Sequence, residues 1–159
     1  QVDVKKVNSI LYPLIKKGYS IILKYHPRTK KRLLNQNKNI LEYDGPIKDI
    51  CHNIDFAIVT SKTNSVLELV SRGIFVIEFY NSEKSTYNNK KYEFLKKNNY
   101  VSISNYYGFV KNFSDKKLLL NFLKSKKLNS LISKNRNTQI KNLKNYLKKN
   151  YSKNKLKLL

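Results

Sequence analysis

The sequence predicts an α/β fold, namely a Rossmann-like parallel sheet of about five strands with helices on both faces, followed by basic amphipathic helices at the C-terminus. Two observations favour this class. Short apolar runs without polar alternation, at 21–23 and 56–59 among others, are typical of parallel strands that are buried on both faces. Segments whose apolar residues recur at helical spacing lie between these runs.

Each expected element has a local reason. Residues 4–17 carry apolar side chains at helical spacing, and Gly18 ends this helix because glycine tolerates the positive φ of a helix C-terminus. Turn residues at 44–46 stop the second strand, and Gly73 ends the helix that follows the third strand. The expected strands are 21–23, 39–43, 56–59, 75–79 and 100–103. The other expected helices of this part are 29–35, 65–72 and 83–97, with one or two helical turns over 47–53.

The last part of the chain is expected to be helical and basic. A helix over 115–124 would be capped by Ser114, and apolar residues from Leu128 to Leu147 mark a longer amphipathic helix. We therefore predict a sheet domain over residues 1–113 and a helical basic tail over residues 114–159. No linker rich in Pro or Gly separates the two parts.

The charge is concentrated near the C-terminus. The formal net charge is +23, no acidic residue follows Asp115, and residues 116–159 contain fourteen Lys and Arg. Such a surface attracts phosphate-rich partners, either nucleic acid or the anionic leaflet of a membrane. In the membrane case the helix over 128–147 would lie in the interface with its lysines outward. The equal alternative is a terminal helix that packs onto an N-terminal domain. A bias of the genome towards Lys and Asn is the alternative origin of this charge, but the electrostatic consequence remains.

Cysteine usage and hydropathy restrict the compartment. The single cysteine, Cys51, excludes an internal disulfide and fits a reducing compartment, where a buried small side chain is its simplest role. No apolar run approaches the roughly 20 residues that span a bilayer. We expect a cytoplasmic protein, with peripheral contact at the inner membrane face as a further option. The sequence contains no Met, which suggests a fragment.

Two polar clusters follow two of the expected strands. Tyr25-His26-Pro27-Arg28 comes after the first strand, and a run of hydroxyl and amide side chains over 60–65 comes after the third. The carboxyl ends of parallel strands converge at one edge of a sheet, and ligands bind there. Hydroxyl and basic groups at that edge favour an anion, and a nucleotide phosphate is the first candidate.

Each cluster also has an interpretation without a ligand. Ser65 and Glu68 have the Ser-x-x-Glu spacing of a capping box, in which both side chains satisfy backbone N–H groups at the start of a helix. His26 could be a structural residue at a strand end, and the basic residues around Arg28 could belong to a solvated helix. A capping box leaves Thr60, Ser61, Thr63 and Asn64 without an explanation.

The order of these motifs resembles a known family. Tyr-His-Pro-Arg at 25–28, Asp-Gly-Pro-Ile-Lys-Asp-Ile at 44–50 and the stretch over 55–79 are similar to the C-terminal, donor-binding half of a glycosyltransferase with the two-domain GT-B fold. Bacterial surface-polysaccharide enzymes with a His-Pro motif and a downstream Ser/Thr motif are most alike. They include sialyltransferases, polysialyltransferases and capsule polymerases that use CMP-linked donors, and glycerophosphotransferases that use CDP-glycerol. The resemblance covers about residues 4–113.

The resemblance implies a role for each motif. His26 would contact or protonate the donor phosphate as the sugar leaves, which makes it the catalytic residue. Hydroxyls after the third strand would hold the phosphate, Glu68 would bind the ribose, and the loop over 44–46 would line the base pocket. The implied donor-binding residues are Pro27, Arg28, Asp44, Gly45, Pro46, Ser61, Thr63, Asn64, Ser65 and Glu68. The acceptor would bind through an N-terminal domain, so this chain would bind nucleotide without turnover on its own.

Other chemistries have little support in the sequence. There is no Asp-x-Asp metal motif, no Gly-x-Gly-x-x-Gly and no P-loop, and the spacing of His26, Cys51 and His52 does not suit zinc. We therefore expect a metal-independent enzyme without a cofactor, whose partners are a nucleotide-sugar donor and a glycan or lipid-linked acceptor. Two alternatives stay open: half of a sugar-nucleotide epimerase, and a non-enzymatic basic module that binds nucleic acid or membrane.

Overall fold

A computed structural model describes residues 4–25, 38–60, 63–79 and 102–151, with side chains from Asn8 onward. The helices of these ranges are α1 (Val4–Lys16), α2 (Ser65–Ser71), α3 (Ile103–Tyr106), α4 (Lys116–Lys124) and α5 (Leu128–Asn150). The strands are β1 (Ile21–Lys24), β2 (Ile40–Tyr43), β3 (Phe56–Val59), β4 (Phe75–Phe79) and β5 (Lys111–Phe113). Two single 3₁₀ turns, Ile47–Asp49 and Cys51–Asn53, connect β2 to β3.

All ladders among the described strands are parallel, which confirms the predicted α/β class. β1 pairs with β2, with Ile21 opposite Ile40. β4 lies between β3 and β5, with Phe56 opposite Phe75 on one side and Ile77 opposite Lys111 on the other. The five strands therefore form a two-stranded and a three-stranded sheet.

Helices cover both faces of the three-stranded sheet, as expected. Val76 of β4 packs on one face with Val66 of α2 and Leu143 of α5. Ile77 packs on the other face with Leu14 of α1 and Leu119 of α4. All five residues of β4 are buried, which agrees with a run that is apolar except for Glu78. Helices from residue 116 onward contribute to both cores, whereas the domain division after residue 113 stays a prediction.

The expected strand over 100–103 is wrong in its described residues. Ser102 caps α3, because its Oγ accepts a hydrogen bond from the Asn105 N–H at 3.0 Å, and Ile103 begins that helix. The fifth strand lies further along the chain, at Lys111–Phe113. The helices expected over 29–35 and 83–97 lie outside the described residues.

Two further details concern helix ends. The cap of α4 is Asp115 rather than Ser114, because the Asp115 Oδ1 accepts a hydrogen bond from the Leu118 N–H at 2.9 Å. Gly18 and Gly73 have φ of +84° and +78°, as expected of residues that follow a helix.

The apolar face of α5 is not free. Leu128, Ile132 and Leu143 of this helix are buried against the sheet. One expectation from the sequence placed this helix in a membrane interface. Its apolar face is not available for such a contact in this structure. Over the described ranges, no helix is both long enough and apolar enough to cross a bilayer.

Candidate functional site

A cleft of about 380 Å³ separates β1 from β3. Every residue of both strands lines it. The rings of Tyr19 and Phe56, which lie near the beginnings of the two strands, are in edge-to-face contact at 5.6 Å between centroids. Both strands therefore start at the same end of the cleft and, because all their residues line it, both extend along it from that end.

The cleft has an apolar interior. Leu14 of α1, Ile47 of the first 3₁₀ turn and Leu69 of α2 contribute to its walls beside the strands. Burial raises the pKa of the Tyr19 phenol, and the nearby Asp55 carboxylate raises it further. Tyr19 therefore stays protonated at neutral pH and adds no charge to this interior.

The carboxyl end of the cleft is polar. Lys24 and Tyr25 border it from β1, and Thr60, Thr63 and Ser65 border it from the segment after β3. The structure thus brings together the described parts of the two polar clusters, as the parallel-sheet argument predicts. We call these five residues the cleft mouth. His26, Pro27, Arg28 and Ser61 lie outside the described residues, so their roles stay predictions.

The hydroxyl groups of Thr63 and Ser65 are coupled. The Thr63 Oγ1 accepts a hydrogen bond from the Ser65 backbone N–H at 3.2 Å and donates one to the Ser65 Oγ at 3.0 Å. Because the Ser65 hydroxyl accepts this bond, its own hydrogen can point elsewhere, and no described residue accepts it. The Ser65 hydroxyl is therefore available as a donor at the cleft mouth.

The expected capping box does not form. Ser65 is the first residue of α2 rather than its cap, and the Glu68 carboxylate lies 3.7 Å from the Arg72 Nε instead of reaching back to the helix start. Asn64 occupies the cap position, but its side chain makes no capping hydrogen bond. The interpretation that explained Ser65 and Glu68 without a ligand is therefore wrong. Neither Asn64 nor Glu68 belongs to the described lining of the cleft.

The loop over 44–46 is held beside the cleft mouth. The Lys24 Nζ donates a hydrogen bond to the Gly45 carbonyl at 2.6 Å, and the Tyr43 hydroxyl donates one to the Pro46 carbonyl at 3.1 Å. A Cβ on Gly45 would collide with the Tyr43 hydroxyl, so a larger residue here would have to displace the end of that ring. The loop is outside the described lining of the cleft, and its proposed contact with a base stays a prediction.

Sequence reasoning missed one buried acid at this edge. Glu78 of β4 lies opposite Val59, the last residue of β3, and is only 2 % exposed. Its Oε2 accepts hydrogen bonds from the Ser102 Oγ at 2.8 Å and from the Asn112 Nδ2 at 3.3 Å. The signal was present in the sequence, because Glu78 is the only charged residue in the apolar stretch 74–79.

No protein-family model matches the chain, and searches of curated proteins and of solved structures find no match. The case for a function therefore rests on the residues at the cleft mouth and on the motif resemblance. Among the residues that the structure describes, no three His, Cys, Asp or Glu side chains are grouped to hold a metal ion.

Proposed function

We propose that this chain is the donor-nucleotide-binding domain of a metal-independent, GT-B-type glycosyltransferase. Its donor would be a CMP-, CDP- or UDP-linked sugar used in the synthesis of bacterial surface polysaccharide or lipooligosaccharide. One observation carries the proposal: the end of β1 and the hydroxyls after β3 border the same cleft mouth. The motif resemblance assigns the donor phosphate to these two segments.

The residues of the cleft mouth suit a phosphate group. The Ser65 hydroxyl, oriented by Thr63, supplies a hydrogen-bond donor. Lys24 lines the same opening and supplies positive charge, although its ammonium group already donates to Gly45. α2 has only seven residues, so in this proposal the hydroxyls rather than the helix dipole hold the anion.

His26 supplies the chemistry in this proposal. It follows Tyr25, which lines the cleft mouth. An imidazole there would donate a hydrogen bond or a proton to the phosphate oxygen as the bond to the sugar breaks, when negative charge develops on the leaving group. Transfer also needs an acceptor-binding domain, so the expected activity of this chain alone is nucleotide binding.

Calorimetric titration tests the proposal. The folded chain is titrated with CMP, CDP and UDP, and the titrations are repeated on Ser65→Ala and His26→Ala. Loss of one hydrogen bond to a charged phosphate costs about 1.5 to 3 kcal/mol, so Ser65→Ala is expected to weaken binding by roughly 10- to 100-fold.

Ser71→Ala is the matched control, because it makes the same substitution at the other end of α2. The Ser71 Oγ is exposed and donates to the Glu68 carbonyl at 2.8 Å, away from the cleft. The Ser71→Ala variant should bind the nucleotide with the same affinity as the unmodified chain. Failure of all three nucleotides to bind the folded chain, or equal losses in the Ser65 and Ser71 variants, would contradict the proposal.

The epimerase alternative has less support. Proton transfer at a sugar needs acidic groups that can reach it. Two described acids lie in strands at this edge: Glu42 of β2 accepts a hydrogen bond from the Tyr25 hydroxyl, and Glu78 of β4 is buried and accepts hydrogen bonds from Ser102 and Asn112. These contacts suit a structural acid better than a proton donor to substrate.

A further inference from the structure

The outward face of α5 carries a row of lysines. Lys134, Lys141, Lys144 and Lys148 are exposed, and at 3.6 residues per turn they fall within one side of the helix, opposite the buried Leu143. With a rise of 1.5 Å per residue, the row is about 21 Å long. We call these four residues the lysine stripe.

The lysine stripe is not neutralised by the described part of the protein. Within the described ranges, no ammonium group of the stripe lies within 4.0 Å of a carboxylate. The ion pair found in these ranges, between Glu68 and Arg72, does not involve the stripe. The other polar residues on this side of α5 between Ser133 and Lys148 are uncharged, namely Ser133, Asn137, Thr138 and Asn145. Like charges three, four and seven residues apart repel each other and destabilise a helix. An anionic partner would remove that repulsion.

We propose that the lysine stripe docks this domain on the surface of an anionic lipid bilayer, by electrostatic contact and without insertion. Clusters of four to eight basic residues on a helix bind anionic lipid, at about 1 kcal/mol per residue. A straight row on one side of a long helix can touch a flat surface along its whole length. The apolar side of α5 is buried against the sheet, which leaves only the charged side for this contact.

Nucleic acid fits the stripe less well. Proteins that hold single strands combine basic side chains with aromatic rings on which the bases stack. The ring on this helix, Tyr146, packs against Tyr107 and Phe109 at 4.5 and 5.4 Å between centroids. It lies on the buried side of α5, about half a turn away from the lysine stripe. The stripe itself therefore offers charge without stacking, and the exposed Tyr151 lies beyond it as the residue that ends α5.

Vesicle co-sedimentation of the full chain tests the proposal. Vesicles of phosphatidylcholine alone are compared with vesicles that also contain phosphatidylglycerol. Binding is expected only to the anionic vesicles, and it should disappear as the salt concentration rises from about 0.05 to 0.5 M, because surface charges are screened. Binding that survives high salt would show insertion and overturn the proposed contact.

A pair of charge-matched variants locates the contact. One variant replaces the stripe (Lys134→Gln, Lys141→Gln, Lys144→Gln and Lys148→Gln). The control replaces four exposed lysines in and after α4 (Lys116→Gln, Lys117→Gln, Lys124→Gln and Lys126→Gln). Circular dichroism establishes that both variants fold. At about fivefold per lysine, the stripe variant should lose affinity on the order of several hundred-fold, while the control keeps most of it.

The other outcomes overturn the proposal. Equal losses in the two variants would show a response to net charge rather than to this surface. Binding to neither vesicle would exclude lipid. A single-stranded oligonucleotide that binds more tightly than the anionic vesicles, and loses affinity in the stripe variant, would make this a nucleic-acid surface. None of these results depends on whether the cleft mouth binds a nucleotide.

Discussion

The side-chain amide of Gln139 pairs with both main-chain groups of Val76. The Gln139 Oε1 accepts a hydrogen bond from the Val76 N–H at 2.9 Å, and the Gln139 Nε2 donates one to the Val76 carbonyl at 2.8 Å. The ladder between β4 and β5 begins only at Ile77, so α5 provides these two bonds from its side chain. Because Gln139 is only 3 % exposed, the amide fixes α5 to the central strand away from water.

Replacing this amide by an apolar side chain should be costly. Gln139→Leu leaves the N–H and the carbonyl of Val76 buried without partners, at about 1 to 3 kcal/mol for each group. We expect the free energy of unfolding, measured by urea denaturation, to fall by about 2 to 4 kcal/mol. Asn137→Leu makes a similar exchange two residues earlier, on the exposed side of α5. It should change the free energy of unfolding by less than about 0.5 kcal/mol.

The hydrogen bond between Glu78 and Ser102 should show strong energetic coupling. A double-mutant cycle with Glu78→Gln and Ser102→Ala is expected to give a coupling free energy of about 1 to 3 kcal/mol, since both partners are buried. The matched control is the exposed bond from the Tyr25 hydroxyl to the Glu42 Oε1 at 3.2 Å. Its cycle, with Tyr25→Phe and Glu42→Gln, should give less than about 1 kcal/mol. Equal coupling in the two cycles would contradict the structural role of Glu78.

Two adjacent substitutions test which residue caps α4. Asp115→Ala removes the acceptor of the Leu118 N–H and should lower the free energy of unfolding by about 1 kcal/mol. Ser114→Ala, one residue earlier, should leave it nearly unchanged. Thermal denaturation of the two variants measures the difference. A larger effect of the Ser114 substitution would show that the helix begins one residue earlier.

Cys51 should be an unreactive thiol in the folded protein. Burial raises the pKa of this thiol, Glu68 raises it further and Arg72 acts in the opposite direction. The Cys51 S–H donates a hydrogen bond to the Ile47 carbonyl at 3.1 Å. Alkylation by iodoacetamide at pH 8 should therefore be much slower in the folded than in the urea-unfolded protein, because only the thiolate reacts.

The same thiol gives a pH dependence with a defined sign. Since the folded pKa lies above the unfolded value of about 8.5, the stabilisation is complete below that pH. It is lost as the pH rises towards the folded pKa. The difference in unfolding free energy between the unmodified chain and Cys51→Ala should shrink over this range. A difference that stays constant up to pH 10 would contradict the raised pKa.

The sequence predicts four of the five strands because each contains a short run of mainly apolar residues that is recognisable without its neighbours in space. The residues over 75–79 are apolar except for Glu78. Such a run without polar alternation is typical of a central strand that is buried on both faces. β5 has only Lys111, Asn112 and Phe113, and no pattern distinguishes three such residues from a loop. Its strand conformation comes from pairing with β4 and from the Asn112 amide, which donates to Glu78. These contacts lie far apart in the sequence.

The candidate site was predictable in part for a similar reason. Tyr25 follows β1 and the hydroxyl residues follow β3, and the ends of parallel strands are expected at a shared edge. In the structure Thr63 and Ser65 line the same cleft as Tyr25. The capping interpretation of Ser65 failed because Thr63 already accepts the hydrogen bond at the helix start. The cleft itself depends on how β1 lies relative to β3, which no local pattern in either strand encodes.

The division of the strands into two sheets has a consequence for the dynamics of the chain. In the described ranges β1 and β2 share no ladder with the other strands. Just before β1, the Lys17 Nζ donates a hydrogen bond to the Leu123 carbonyl of α4 at 2.6 Å, and the Tyr19 hydroxyl donates one to the Asn129 Oδ1 of α5. Amide hydrogens of β4, paired on both sides, should exchange with solvent only through global unfolding. Amides of β1 and β2 should exchange through a smaller opening that leaves the three-stranded core intact. Hydrogen exchange should therefore resolve two cooperative units in one chain, with the cleft mouth on the boundary between them.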